Sequence, residues 1–278
     1  MKVSTPGPDA RLLPLHVETT GSGDPVVLLH GFGASGFTWR HWAPELSRRH
    51  EVLLVDLKGF GSAAKPPDGR YSPTDLADDV HRLVHQRDLR RLTLVGHSLG
   101  GGIALLVALR LLEEGEGRLA RLVSVSGVAY RQAIPHYIGM VRTRPLARSF
   151  LRVVPAGWLM RRVLCSVVHD PALVTAEQVE GYARPLRTSG ARRALAETAR
   201  QIVPDGLDGL VSRYPGLDVP ALLIWGRHDP VVPLALGRRL AEDLPRARMV
   251  VLEGCGHLPA EEKPSESLAA LTDFLAST

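Results

Sequence analysis

Six short runs of almost unbroken apolar residues, at 26–29, 52–55, 92–95, 122–125, 221–225 and 249–252, punctuate the chain. Each is too short for a helix. Runs of this kind are strands covered on both faces, and their alternation with helical stretches predicts a mostly parallel sheet. A further strand is expected at 12–19, ahead of the turn residues at 21–25. Helices are expected at 74–88, 99–113, 234–243 and 265–276. The first of these follows Ser72-Pro73, with Thr74 and Asp75 as its candidate caps.

The rhythm breaks once. The 95 residues at 126–220 separate two apolar runs, where a single βαβ unit needs only about 30. Within them Trp158, Leu159, Val163, Leu164, Val167 and Val168 recur at helical spacing, so the stretch reads as an insertion of helices at 136–149, 156–168, 175–187 and 190–203. The expected architecture is α/β: a mostly parallel central sheet flanked by helices. Its first part is 1–129, the inserted helical unit 130–216, and its second part 217–278.

Composition changes this picture little. Of 278 residues, 45% are hydrophobic and 23% charged, the balance of an ordinary globular chain. No apolar run approaches the ~18 residues of a membrane span, and residues 1–9 carry no apolar core of a secretory signal. The two cysteines, Cys165 and Cys255, form no disulfide framework, so a cytoplasmic protein is expected. The net charge of +5 is uneven: arginines 131, 142, 144, 148, 152, 161 and 162 fall in a stretch without Asp or Glu. No aromatic stacking pattern accompanies them, so solvated helix faces explain them better than nucleic acid does.

The chemistry starts at Ser98. It stands in Gly96-His97-Ser98-Leu99-Gly100, between the run 92–95 and the glycine-rich start of a helix. Strand, G-x-S-x-G, helix is the layout of a nucleophile elbow, in which a tight turn lifts a serine hydroxyl clear of a sheet. A serine hydroxyl needs a base within reach, a carboxylate to orient that base, and donors for the oxyanion. Asp229 follows the run 221–225 and His257 follows 249–252. In a parallel sheet these strand ends share one edge, where the three side chains can converge. For the oxyanion, the backbone N–H groups of Leu99 and of Phe32, in His30-Gly31-Phe32-Gly33 after the run 26–29, are the candidates.

With these segments in place, together with Asp56-Leu57-Lys58-Gly59-Phe60-Gly61 and Gly226-Arg227-His228-Asp229-Pro230, the chain resembles the α/β-hydrolase superfamily over nearly its whole length. Lys58 stands where that family commonly has arginine. The resemblance implies that the inserted helices form a cap over the site. It also implies a serine esterase acting through an acyl-enzyme on small, largely apolar esters, without cofactor or metal. Related folds also cleave carbon–carbon bonds, thioesters and lactones, or run cofactor-free haloperoxidation. Tyr137, Met140, Phe150, Trp158 and Leu159 are the candidate substrate-facing residues of the cap. The expected partner is a small-molecule ester, and the expected state a monomer or homodimer.

Other readings explain less. Gly31-Phe32-Gly33-Ala34-Ser35-Gly36 with Asp56 matches a dinucleotide-binding fingerprint, but Pro44 and the bulky Trp39 and Trp42 interrupt the helix it needs. A non-catalytic ligand sensor on the same fold would keep the same residues. His81 and His85, one helical turn apart, show no third ligand in the sequence and read as surface histidines. Cys255 reads as a small residue in a tight turn, and Asp56 as a structural turn residue.

Overall fold

The structure, a computed structural model, describes residues 13–143 and 154–277. Its centre is a seven-stranded sheet of β1 (His16–Thr20), β2 (Pro25–Leu29), β3 (Glu51–Asp56), β4 (Leu92–His97), β5 (Leu119–Val125), β6 (Ala221–Gly226) and β7 (Ala247–Leu252). The strands lie in the order β1-β3-β2-β4-β5-β6-β7; β1 runs antiparallel to β3, and every other pairing is parallel. This is the mostly parallel, helix-flanked sheet expected from the sequence.

The inner strands are mostly apolar because both faces are covered. Val27 and Leu29 face one layer with Leu53 and Leu94, against the helices Pro73–Gln86 and Leu99–Glu113. Val26 and Leu28 face the other, with Trp39, Trp42 and Phe274 of the helix Pro264–Ser277. The two-residue period of a strand thus divides each run between two cores.

Two local expectations need correction, and a third is tested only in part. The first strand begins at His16, not 12, since Pro14 has no N–H to give a ladder; Leu13 and Leu15 only pack on the core. The helix start near 74 is capped by Ser72. Its hydroxyl accepts from the Asp75 N–H at 3.1 Å, and the Asp75 carboxylate accepts from the Ser72 N–H at 3.2 Å, with Pro73 in the first turn. Of the helix expected at 136–149, His136–Thr143 is helical and the remainder lies outside the described residues.

Between β5 and β6 the chain also forms the helices Ala156–Val167, Ala176–Leu186 and Ala191–Arg200, plus a short helix, Leu207–Val211, that the periodicity did not reveal. Met160, Leu164 and Tyr182 from these helices join the same core as β2 and β4.

The connections leave β2 toward β3 on one side and β4 toward β5 on the other. The ends of β2 and β4 therefore flank the crevice where the strand order reverses, the usual ligand position of open α/β sheets.

Candidate active site

Ser98 follows β4 with φ +53° and ψ −117°, a backbone conformation few non-glycine residues adopt and one costing about 1–3 kcal/mol. The turn is also crowded. A Cβ at Gly96 would lie 2.1 Å from the Gly100 carbonyl oxygen, and one at Gly100 would lie 2.5 Å from the Leu29 oxygen. Glycine at both positions lets the strand turn into the helix while the loop after β2 passes close by.

Ser98, His257 and Asp229 are hydrogen-bonded in series. The Ser98 hydroxyl lies 2.9 Å from His257 Nε2, and His257 Nδ1 lies 2.9 Å from Asp229 Oδ2. A carboxylate facing Nδ1 fixes the proton there, leaving Nε2 to accept from the hydroxyl. The Val231 and Val232 N–H groups donate to Asp229 Oδ1 at 2.8 and 2.9 Å. Burial opposes ionisation of Asp229, but His257 and these two N–H groups hold its carboxyl below the usual value. A hydroxyl, an imidazole and a buried carboxylate in this order can move a proton off oxygen as it attacks an electrophile.

His257 is also held by its own backbone. Its N–H donates to the Val167 carbonyl at 2.8 Å, and its carbonyl accepts from His97 Nε2 at 2.8 Å. Burial first, and the charge of His257 second, lower His97 to about 3, so its ring is neutral and Nε2–H is the donor. On either side, Gly256 and Leu258 donate to the buried Glu262 carboxylate at 2.9 and 3.0 Å, and His169 donates to it at 2.7 Å.

The loop after β2 is fixed from beneath. His30 Nδ1–H donates to the Gly31 carbonyl at 2.8 Å, and Nε2 accepts from the Leu57 N–H at 3.0 Å. Asp56 accepts from the Gly36 and Ser62 N–H groups, each at 2.7 Å. With its oxygens on backbone amides, Asp56 ties two loops together. Phe32 and Leu99, at the ends of β2 and β4, both line the space above Ser98.

That space is a cavity of about 420 Å³. Its walls come from the sheet edge and from the helices between β5 and β6, and they are mostly apolar. Tyr137 and Leu159 line it. Trp158 lies at its mouth, 56% exposed, with the Arg162 guanidinium 5.6 Å from its ring, so it is not a core residue of the inserted helices. The Met140 side chain and Phe150 lie outside the described residues, as do Arg144, Arg148 and Arg152. Arg131 and Arg162 are exposed and line the cavity. Gln132 also lines it; its Nε2 donates to the Val231 carbonyl at 3.2 Å, while its buried Oε1 has no partner among the described residues. Cys255 is buried beside the site, and burial pushes its thiol well up, away from reactivity.

Sequence reasoning missed His30, His97, Glu262 and Gln132. The first two stand inside the motifs it used but were given no role, and a histidine beside a glycine turn was their one local signal. Glu262 and Gln132 carry none, because their partners are distant in sequence.

Comparison with known proteins places these features in context. The profile of the alpha/beta hydrolase family matches residues 26–271. An uncharacterized hydrolase of Bacillus subtilis is 30% identical over 254 residues, covering 90% of this chain and 89% of that protein. A 2-hydroxymuconate semialdehyde hydrolase of a Pseudomonas species is 30% identical, covering 94% and 90%. Among solved structures, a thermophilic esterase from Thermogutta terrifontis superposes with a TM-score of 0.78 at 25% identity, covering 95% of this chain and 93% of that one.

Proposed function

The chain belongs to the alpha/beta hydrolase family, and within it we propose a serine hydrolase that cleaves carboxylic esters of small, largely apolar substrates. The observation that carries this reading is the Ser98–His257–Asp229 hydrogen-bond series at the floor of the apolar cavity.

In this mechanism His257 Nε2 takes the Ser98 proton as the oxygen attacks the ester carbonyl. The N–H groups of Phe32 and Leu99 receive the oxyanion. Asp229 holds the His257 tautomer and offsets the charge of the imidazolium. The proton passes to the leaving alcohol, and water activated by His257 then releases the acid and restores Ser98. Residues 130–216 act as the cap, with Tyr137, Leu159 and Trp158 against the substrate. The steps call on no cofactor.

A second reading, hydrolysis of a carbon–carbon bond next to a carbonyl, draws on one observation. A relative 30% identical over 94% of this chain bears the name of a 2-hydroxymuconate semialdehyde hydrolase.

Purified protein tested on p-nitrophenyl esters of rising chain length, with and without a fluorophosphonate, separates these readings. Fast turnover that the reagent stops by labelling Ser98 supports the esterase. Labelling without ester turnover removes that reading, and turnover of a vinylogous 1,5-diketone would then establish the second. Failure to label at all removes both.

A further inference from the structure

The helices Pro73–Gln86 and Leu99–Glu113 connect β3 to β4 and β4 to β5, so they lie side by side and run the same way. Asp78 pairs with Arg110 across their contact. One turn further on, His81 and His85 face Glu114, the residue that ends the second helix.

His81 Nε2 lies 2.7 Å from Glu114 Oε1 and His85 Nε2 lies 3.0 Å from Oε2, with the two imidazole centroids 4.6 Å apart. The candidate ligand atoms of all three side chains lie within 4.8 Å of one another. The sequence offered no third ligand for the histidine pair; the fold supplies it from a helix that begins beside Ser98.

We propose that His81, His85 and Glu114 form a binding site for a divalent transition-metal ion of the zinc type. Two imidazoles and a carboxylate suit Zn²⁺, with Ni²⁺ and Cu²⁺ as competitors. Ligands at about 2.0–2.1 Å around a tetrahedral ion stand roughly 3.3 Å apart, so the set needs to close by about 1.5 Å at most. Rotamer adjustment of three half-exposed side chains can supply that.

Without metal, each Nε2–H donates to one carboxylate oxygen. On binding, each ring carries its proton on Nδ1 and turns the Nε2 lone pair to the ion, and water takes the fourth position.

A second, independent feature favours a cation here. Both helices end at this place, so the negative ends of two helix dipoles converge on it.

Ser98 and Glu114 stand at opposite ends of one helix, about 24 Å apart at 1.5 Å per residue. A metal here would therefore clamp the ends of two crossover helices and take no part in chemistry at Ser98.

The test uses untagged protein stripped with EDTA and titrated with ZnCl₂, followed by calorimetry and thermal melting. One Zn²⁺ per chain is expected, with a melting temperature that rises with zinc concentration. His85→Ala and Glu114→Gln are each expected to weaken binding at least tenfold, with His81→Asn as a third check. His257→Ala is expected to bind zinc like the wild type. Absence of binding up to about 1 mM, or binding unaffected by the His85 and Glu114 changes, overturns the proposal. So does binding lost on His257→Ala, or on His169→Ala, whose ring stacks on His228 at 4.4 Å.

Discussion

Glu262 grips the backbone on both sides of His257: one carboxylate oxygen accepts from Gly256 N–H and the other from Leu258 N–H. The imidazole therefore projects from a peptide segment anchored on both sides. The same carboxylate also takes the His169 N–H, which joins the helices between β5 and β6 to the histidine loop.

Glu262→Gln keeps one acceptor oxygen but sets an amide N–H₂ against a buried N–H donor. An unpaired buried donor costs about 1–3 kcal/mol, a fall in melting temperature of roughly 2–10 °C. The loosened loop is expected to lower kcat by roughly 10- to 100-fold with little change in KM. Unchanged kcat with a lowered melting temperature would leave Glu262 a purely structural residue.

Ser98→Ala is expected to cut turnover by about 10⁴-fold or more and to keep the fold, because it removes one oxygen from a backbone conformation alanine must also adopt. Asp229→Asn leaves His257 the wrong tautomer and is expected to cost about 10⁴-fold. Circular dichroism beside steady-state rates checks both. Residual hydrolysis above a hundredth of wild type in Ser98→Ala would remove the nucleophile assignment.

His97 gives the stability of the protein a pH dependence. Its folded value is lowered to about 3 from 6.5, so between these values the unfolded chain binds a proton that the folded chain refuses. Stability from this group is complete above about 6.5 and falls as the pH drops, by up to about 1.4 kcal/mol per unit. His30, lowered by burial, acts in the same direction. In His97→Asn, urea unfolding at pH 7 and pH 5 is expected to differ less than in the wild type. An equal difference would show that His97 takes no part.

Two glycine substitutions should diverge. Alanine at Gly100 places a methyl group against the Leu29 and His30 carbonyl oxygens, at 2.5 and 2.6 Å, and is expected to abolish folding or activity. Alanine at Gly209, in the short helix Leu207–Val211, meets nothing within 4 Å and is expected to stabilise by up to about 1 kcal/mol. Denaturant midpoints decide both.

Arg131 and Arg162 line the cavity from exposed positions. They are expected to draw anionic esters, so kcat/KM for a carboxylated ester should fall as salt rises from 10 to about 300 mM, while a neutral ester responds little. The double change to alanine should flatten that dependence. A salt response that survives in the double variant would place the field elsewhere.

What the sequence determined by itself was whatever depends on near neighbours. Strands β2, β4 and β6 were legible because both faces are covered and nearly every residue is therefore apolar, Thr93 and His97 of β4 being the polar exceptions. Ser98 was legible because glycines at 96 and 100 are a local steric need, and Asp229 and His257 because parallel strands end at one edge. Only the tertiary structure decided what required distant partners. Glu262, His97 and Gln132 look like any polar residue until the fold sets them against His257 and the cavity. Glu114 became a partner of His81 and His85 only when two crossover helices ended together. A sequence records the period of a strand or helix directly, but a contact between residues far apart along the chain exists only once the intervening elements have packed.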